Sequence, residues 1–223
     1  MPDSAPMPAL SPSDVVFLAR DRFAAPGGRL NYYRSAGIEI KVSVPELAQT
    51  AYAAAFLAAE QAGLLRLNLR SKKAMLGLRT VEAIYADPAG GQSPFGAEAL
   101  ESRLQQDALS LSGKQQHEVW RVVHSLWSSD SANPSGDALA QIQNGLAARG
   151  ILESTSTKRL KVFTVVEHSE PETVLALAAE RAGEVEALLE HCRTARRDIW
   201  KRLIDDVAKG IRKHEDSGTD IDD

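Results

Sequence analysis

Arg66, Arg70, Lys72, Lys73 and Arg79 fall in one stretch of the chain that contains no acidic residue, and Lys158, Arg159 and Lys161 form a second, smaller group. Clustered guanidinium and ammonium groups suit one kind of chemistry. They hold phosphate oxygens, of nucleic acid or of anionic lipid, at about 1 kcal/mol per contact near a membrane surface. A competing reading is protective, because lysine and arginine commonly guard short hairpin edges against edge-to-edge pairing. The chain as a whole does not help such contacts. Its 223 residues carry 26 Lys and Arg against 30 Asp and Glu, a net charge of −4, so any attraction for a polyanion is local.

Signals for other chemistry are thin. The sequence has no G-x-S-x-G, no phosphate-binding G-x-x-x-x-G-K-[ST] and no G-x-G-x-x-G. Gly27-Gly28 and Gly90-Gly91 read as turn punctuation in Pro-containing loops. Among the five histidines, His117 and His124 are spaced to share a helix face, but no carboxylate stands where it would complete a metal set. His168, His191 and His214 read as surface or helix-face residues. Cys192 is the single cysteine, which excludes an intramolecular disulfide and argues against structural zinc. Arg193, Arg196 and Arg197 would lower its pKa, yet its phase on an apolar stripe reads as a buried, inert thiol. The chain reads as a non-enzyme with no cofactor and no metal.

Behind the basic groups stand helix and strand patterns. Residues 1–10 read as a flexible leader with neither the charged start nor the apolar core of a secretory signal. Ser11-Pro12-Ser13-Asp14 is a cap-like opening to a first short helix. Ile38, Ile40, Val42 and Val44 alternate with polar residues, as a short strand or an extended lead into the next helix. Pro45 and Glu46 suit a first helical turn, Leu47 to Gln61 is an alanine-rich helix, and Gly63 stops it. Two extended runs around a basic turn follow, up to Tyr85.

Further helices are expected over Ala97 to Leu109, Gln115 to Trp127 and Asp137 to Arg149. Gly150 then stops the chain as Gly63 does, before a polar basic turn (Ser154 to Lys161) and a strand-like run from Leu160 to Val166. The echo of "EQAGLLRL" in "AARGILES" marks a structural duplication. The expected fold is mainly α, with a body over residues 11–170 holding two winged-helix-like helix–hairpin units, about 38–86 and 115–168. Residues 171–213 read as one long helix or a pair, with Gly183 as the weak point. Residues 214–223 read as a disordered acidic tail.

With that organisation in place, "LSPSDVVFLARDRFAAPGG", "AYAAAFLAAEQAGLLRL", "VEAIYADPAGGQSPFGAEALESRL" and "GLAARGILESTSTKRLKVFTVVEHS" resemble, in order, segments of the Golgi-phosphoprotein (GOLPH-type) lipid-binding family. The resemblance covers about residues 10–169. It implies a mainly helical fold that sits on membranes by binding a phosphoinositide headgroup, an exposed hairpin that helps insertion, and recognition of the cytosolic tails of membrane enzymes. The family's headgroup pocket uses a tryptophan and arginines where this chain has Ser43-Val44, Tyr52 and Leu139 to Gln141, and the segment after Pro171 does not follow the family. On charge alone, Arg66, Arg70, Lys72, Lys73, Lys158 and Arg159 are the residues to test for anionic lipid.

Three readings follow. The first is a non-catalytic adaptor at an anionic, phosphoinositide-bearing membrane surface. The second is a tandem winged-helix DNA-binding regulator reading DNA with Leu47 to Gln61 or Asp137 to Arg149. Against it, the former helix has no Lys or Arg and the latter only Arg149. The third is an assembly subunit, a protein partner or second copy docking on Leu188, Leu189, Trp200 and Leu203 of the C-terminal segment. No stretch approaches the ~20 apolar residues of a membrane span, so the expected location is cytoplasmic, at most peripheral to a membrane.

Overall fold

The computed structural model describes residues 9–27, 33–74, 79–111, 117–126, 132–159 and 163–212. Helix α1 (Pro12–Leu18) and a 3₁₀ turn (Arg20–Arg22) lead to a short hairpin of β1 (Tyr33–Ser35) and β2 (Ile38–Ile40). Helix α2 (Val44–Gln61) runs into a long hairpin, β3 (Leu65–Ala74) and β4 (Arg79–Pro88). Helices α3 (Leu100–Ser110), α4 (Val119–Ser125) and α5 (Pro134–Ala148) follow, then a third hairpin, β5 (Glu153–Arg159) and β6 (Phe163–Ser169). Helices α6 (Glu172–Ala195) and α7 (Arg197–Arg212) end the described chain. Each hairpin is antiparallel and forms its own two-stranded sheet. The protein is mainly helical, with helix followed by hairpin in α2–β3–β4 and α5–β5–β6 and a long C-terminal helical segment.

Alanine makes α2 a good helix and a thin one. Every residue from Ala51 to Ala59 is at most 3% exposed, so the helix is buried around its whole circumference. Helices α1, α3, α5, α6 and α7 all pack against it. At its end Gly63 takes φ +71°, while Leu64 N donates to the Ala59 carbonyl (2.8 Å) and Gly63 N to that of Glu60 (3.0 Å). Gly150 ends α5 in the same way at φ +70°, with Ile151 N on Leu146 and Gly150 N on Ala147, both 2.9 Å. The echo between "AGLL" and "RGIL" is thus one helix-terminating hydrogen-bond pattern used twice, each followed by a buried aliphatic residue.

Buried carboxylates tie α1 to the body. Asp14, 1% exposed, accepts from Ser11 N (2.7 Å), Ser11 Oγ (2.8 Å) and Arg149 Nη2 (2.6 Å). Glu101 on α3 accepts from Ser13 N (2.9 Å) and Ser13 Oγ (3.1 Å). Burial, reinforced by the charge of Asp14, pushes the Glu101 carboxyl up to about 7.

The structure moves several boundaries. The basic residues expected in turns lie on strands: Arg66 to Lys73 on β3, and Lys158 and Arg159 on β5. His117 precedes α4 and therefore shares no helix with His124. Ile38 to Ile40 is a strand, Val42 pairs as a single bridge with Pro26, and Val44 already belongs to α2. The C-terminal segment breaks at Arg196 (φ −131°, ψ 51°) and not at Gly183, which sits inside α6. Arg196 turns out of the helix and donates to both carboxylate oxygens of Glu60 on α2, at 2.5 and 3.0 Å. The expected leader (but for Ala9 and Leu10), Lys213 and the expected tail lie outside the described residues. Among the described residues no helix is long and apolar enough to cross a membrane.

Two glycines within helices separate propensity from packing. A Cβ at Gly145 would meet the Glu98 carbonyl oxygen at 2.3 Å, while one at Gly183 meets nothing within 4 Å. Gly183→Ala is expected to raise stability by up to about 1 kcal/mol. Gly145→Ala should lower it by about 1–3 kcal/mol through overpacking. Urea midpoints of the two variants against wild type read both signs directly.

Candidate anion-binding hairpin and its anchor

The β3–β4 hairpin pairs ten residues on each strand, from Leu65↔Pro88 to Ala74↔Arg79, a length of about 33 Å. Strand alternation sorts its side chains. Leu65, Leu67, Ile84 and Ala86 enter the core on one face. The opposite face carries Arg66, Asn68, Arg70 and Lys72, with Tyr85 and Asp87 across from Asn68 and Arg66. Lys73 falls on the other face and is exposed.

Carboxylates and aromatic rings fix this cationic face. Asp87 accepts from Asn68 Nδ2 (3.1 Å) and from Arg70 Nη2, and its other oxygen lies 3.5 Å from His117 Nδ1. The Arg70 guanidinium stacks 4.8 Å from the Tyr85 ring centre. Farther along the strand, Lys72 donates to Glu118 Oε2 at 2.5 Å. Glu118 is 2% exposed, and the same oxygen accepts from Trp120 Nε1 at 2.8 Å. Its backbone is held as well, through a bridge to Tyr85 and two helix-opening bonds from Arg121 N and Val122 N. Arg121 and Lys209 each lie against the Trp120 ring, at 4.5 and 4.3 Å. Burial pushes the Tyr85 phenol up, helped by the charge of Glu118.

Asp206 on α7 closes the cluster. Its Oδ2 is buried and accepts no hydrogen bond from a described residue. Burial pushes its carboxyl up to about 6; Lys209, Lys72 and Arg202 oppose the shift and Glu118 adds to it. The anchor thus joins three elements distant in sequence: the hairpin, the start of α4, and α7.

Of the expected anion-binding residues, the structure brings Arg66, Arg70, Lys72 and Lys73 onto one strand, with Arg70 and Lys72 held by internal carboxylates. Lys158 and Arg159 belong to a different two-stranded sheet, the β5–β6 hairpin, which packs on β2. Lys161 lies outside the described residues, as do the side chains of Arg79, Lys158 and Arg159. Glu118, Trp120, Asp206 and Lys209 carry no local sequence signal that ties them to the basic strand. Lys72 and Glu118 are 46 residues apart.

The expected partner face is largely spent inside the chain. Leu189 and Leu203 are 6% and 0% exposed, because α6 packs on α1 and α2 while α7 packs on α4, α2 and α5. Trp200 stays half-buried, with Arg193 stacked 5.2 Å from its ring. Leu188 lines an open groove of about 540 Å³ between α2 and α6, with Ala58, Ala62, Phe95 and Val185. Cys192 is buried, and burial pushes its thiol pKa up. Among the described residues no group of three or more His, Cys, Asp or Glu is placed to hold a metal ion. No family model, curated protein or solved structure matches this chain.

A carboxyl whose folded pKa exceeds its unfolded value binds its proton more tightly in the native state. Its contribution to stability is therefore present in acid and is lost as pH rises from about 4 towards 6. In Asp206→Asn the unfolding free energy is expected to fall less than in wild type over that interval, measured by urea titrations at stepped pH.

Proposed function

We propose that this chain is a non-catalytic binding protein that docks on the phosphates of an anionic membrane with the cationic face of the β3–β4 hairpin. The observation that carries the reading is the composition of that hairpin. Arg66 and Arg70 are exposed on the cationic face of β3, Lys73 is exposed on its opposite face, and the four residues joining β3 to β4 in the sequence are Met75, Leu76, Gly77 and Leu78. Cations beside a short apolar segment suit an interface where phosphates overlie acyl chains. The residues joining β5 to β6, Leu160, Lys161 and Val162, have the same mixed character. The sequence resemblance to Golgi-phosphoproteins supports the same reading, as an adaptor at a phosphoinositide-bearing surface.

Architecture alone backs a second reading better, that of a tandem winged-helix DNA-binding regulator, because helix followed by hairpin occurs twice. On that reading the contacts fall to the hairpins. α2 is buried, and on α5 Gln141 already accepts from Arg103 Nη1 at 2.6 Å. Binding would then be to nucleic-acid backbone, with little base readout.

One experiment separates the two. Sedimentation with phosphatidylcholine vesicles containing a phosphatidylinositol phosphate is expected to exceed that with phosphatidylcholine alone, and to fall with salt. Replacing Arg66 and Arg70 together by Ser should weaken the association roughly tenfold or more, at about 1 kcal/mol per contact. No excess sedimentation, with a salt-sensitive mobility shift on random duplex instead, would transfer the function to nucleic acid.

A further inference from the structure

The four β3 cations with described side chains differ in what holds them. Arg66 and Lys73 make no ion pair with a described residue, and Arg70 is paired within the hairpin to Asp87. Lys72 alone is bound to the body, by a carboxylate that is itself 2% exposed. The two partners are unequal. Glu118 is fixed by its backbone bridge to Tyr85, by the bonds that open α4, and by the Trp120 indole. Lys72 is 29% exposed and sits on a flexible four-carbon stem, on the same strand face as Arg66 and Arg70. When a phosphate meets that face, Lys72 has two anions to choose between, and only the phosphate can move to it.

We infer that Glu118 is an internal competitor for the anionic ligand: it holds Lys72 in the resting protein, and full engagement of the hairpin requires the Lys72–Glu118 pair to open. This rests on the reading of the hairpin as a phosphate-binding face. It adds an affinity-setting residue that lies off that face and need not touch the ligand. Exchange of one carboxylate for another anion is nearly balanced for Lys72. The cost falls on Glu118, which is left buried beside Asp206 with its compensating charge gone. Arg121, Arg202 and Lys209 surround that pocket but stay on their helices, and the Trp120 indole remains as a donor.

The test is binding of the full chain to phosphatidylcholine vesicles with and without a phosphatidylinositol phosphate, at one ionic strength. Glu118→Gln keeps an acceptor for the Trp120 indole and is expected to bind roughly tenfold tighter than wild type, about what one charge-assisted hydrogen bond contributes. Lys72→Met should bind more weakly than wild type, and the double variant should match Lys72→Met. Glu82→Gln removes an exposed charge from the same hairpin and should change affinity much less. Glu118→Asp keeps the charge but shortens the reach, so it is expected to tighten binding even where Glu118→Gln proves unstable.

A folded Glu118→Gln or Glu118→Asp that binds no tighter than wild type would overturn the inference. So would a gain that persists in the Lys72→Met background. If neither wild type nor any variant sediments above phosphatidylcholine alone, the membrane reading falls and the competitor with it. Wild-type binding with unchanged Glu118 variants removes only the competitor.

Discussion

A helix whose middle is mostly alanine, as α2 is from Ala51 to Ala59, buries little apolar area per residue there. α2 is stable at the centre of this protein because five other helices close on it together. Small side chains let those helices approach on every side, and Tyr52, Phe56 and Leu57 fill the spaces that alanines leave. The arrangement has a consequence for the hairpin. β3 leaves α2 through the Gly63 turn with Leu64 and Leu65 already buried, so the direction of the cationic strand follows from the orientation of the central helix. Any surface the hairpin meets is met at an angle set in the core.

Charge pairs then fix what apolar packing leaves free. Asp14–Arg149 holds α1 to the end of α5, Glu60–Arg196 holds the α6–α7 break to α2, and Glu118–Lys72 holds the hairpin to the start of α4. Each joins elements far apart in sequence; the carboxylates of Asp14 and Glu118 are buried and that of Glu60 is partly buried. Hydrophobic contact tolerates sliding of one helix along another. A buried carboxylate does not, because losing its partner leaves an uncompensated charge. These pairs therefore set register more than they add stability. The third differs from the others in that its cation shares a strand face with two exposed arginines, Arg66 and Arg70.

Much of the organisation could be read from the chain. The alanine-rich helix, its glycine stop, the repeated helix–hairpin outline and the polar break before the last helices all follow from spacing and composition. Helical phase also placed Cys192 on a buried stripe. Other expectations failed for identifiable reasons. Lysine and arginine on β3 resembled a turn because a strand with one solvated face alternates polar with apolar residues, and here Ser71, Lys72 and Lys73 interrupt that pattern. The C-terminal segment read as one long helix or a pair, with Gly183 as the weak point on propensity alone. It is a pair, and the break falls at Arg196, where an ion pair to Glu60 accompanies the departure from helical backbone.

What the sequence determined by itself is local: which segments are helical, where they stop, and that positive charge concentrates on two hairpins in a chain that is negative overall. Only the tertiary structure decided which of those charges are available. The C-terminal apolar stripe, which by pattern could serve a partner, is mostly consumed by the chain's own core once α7 folds back onto α4 and α2. Lys72, by pattern equivalent to Arg66, is held by a carboxylate that arrives from 46 residues away. Periodicity and composition report neighbours within a few residues, whereas the electrostatic state of a side chain depends on what lies within a few ångströms.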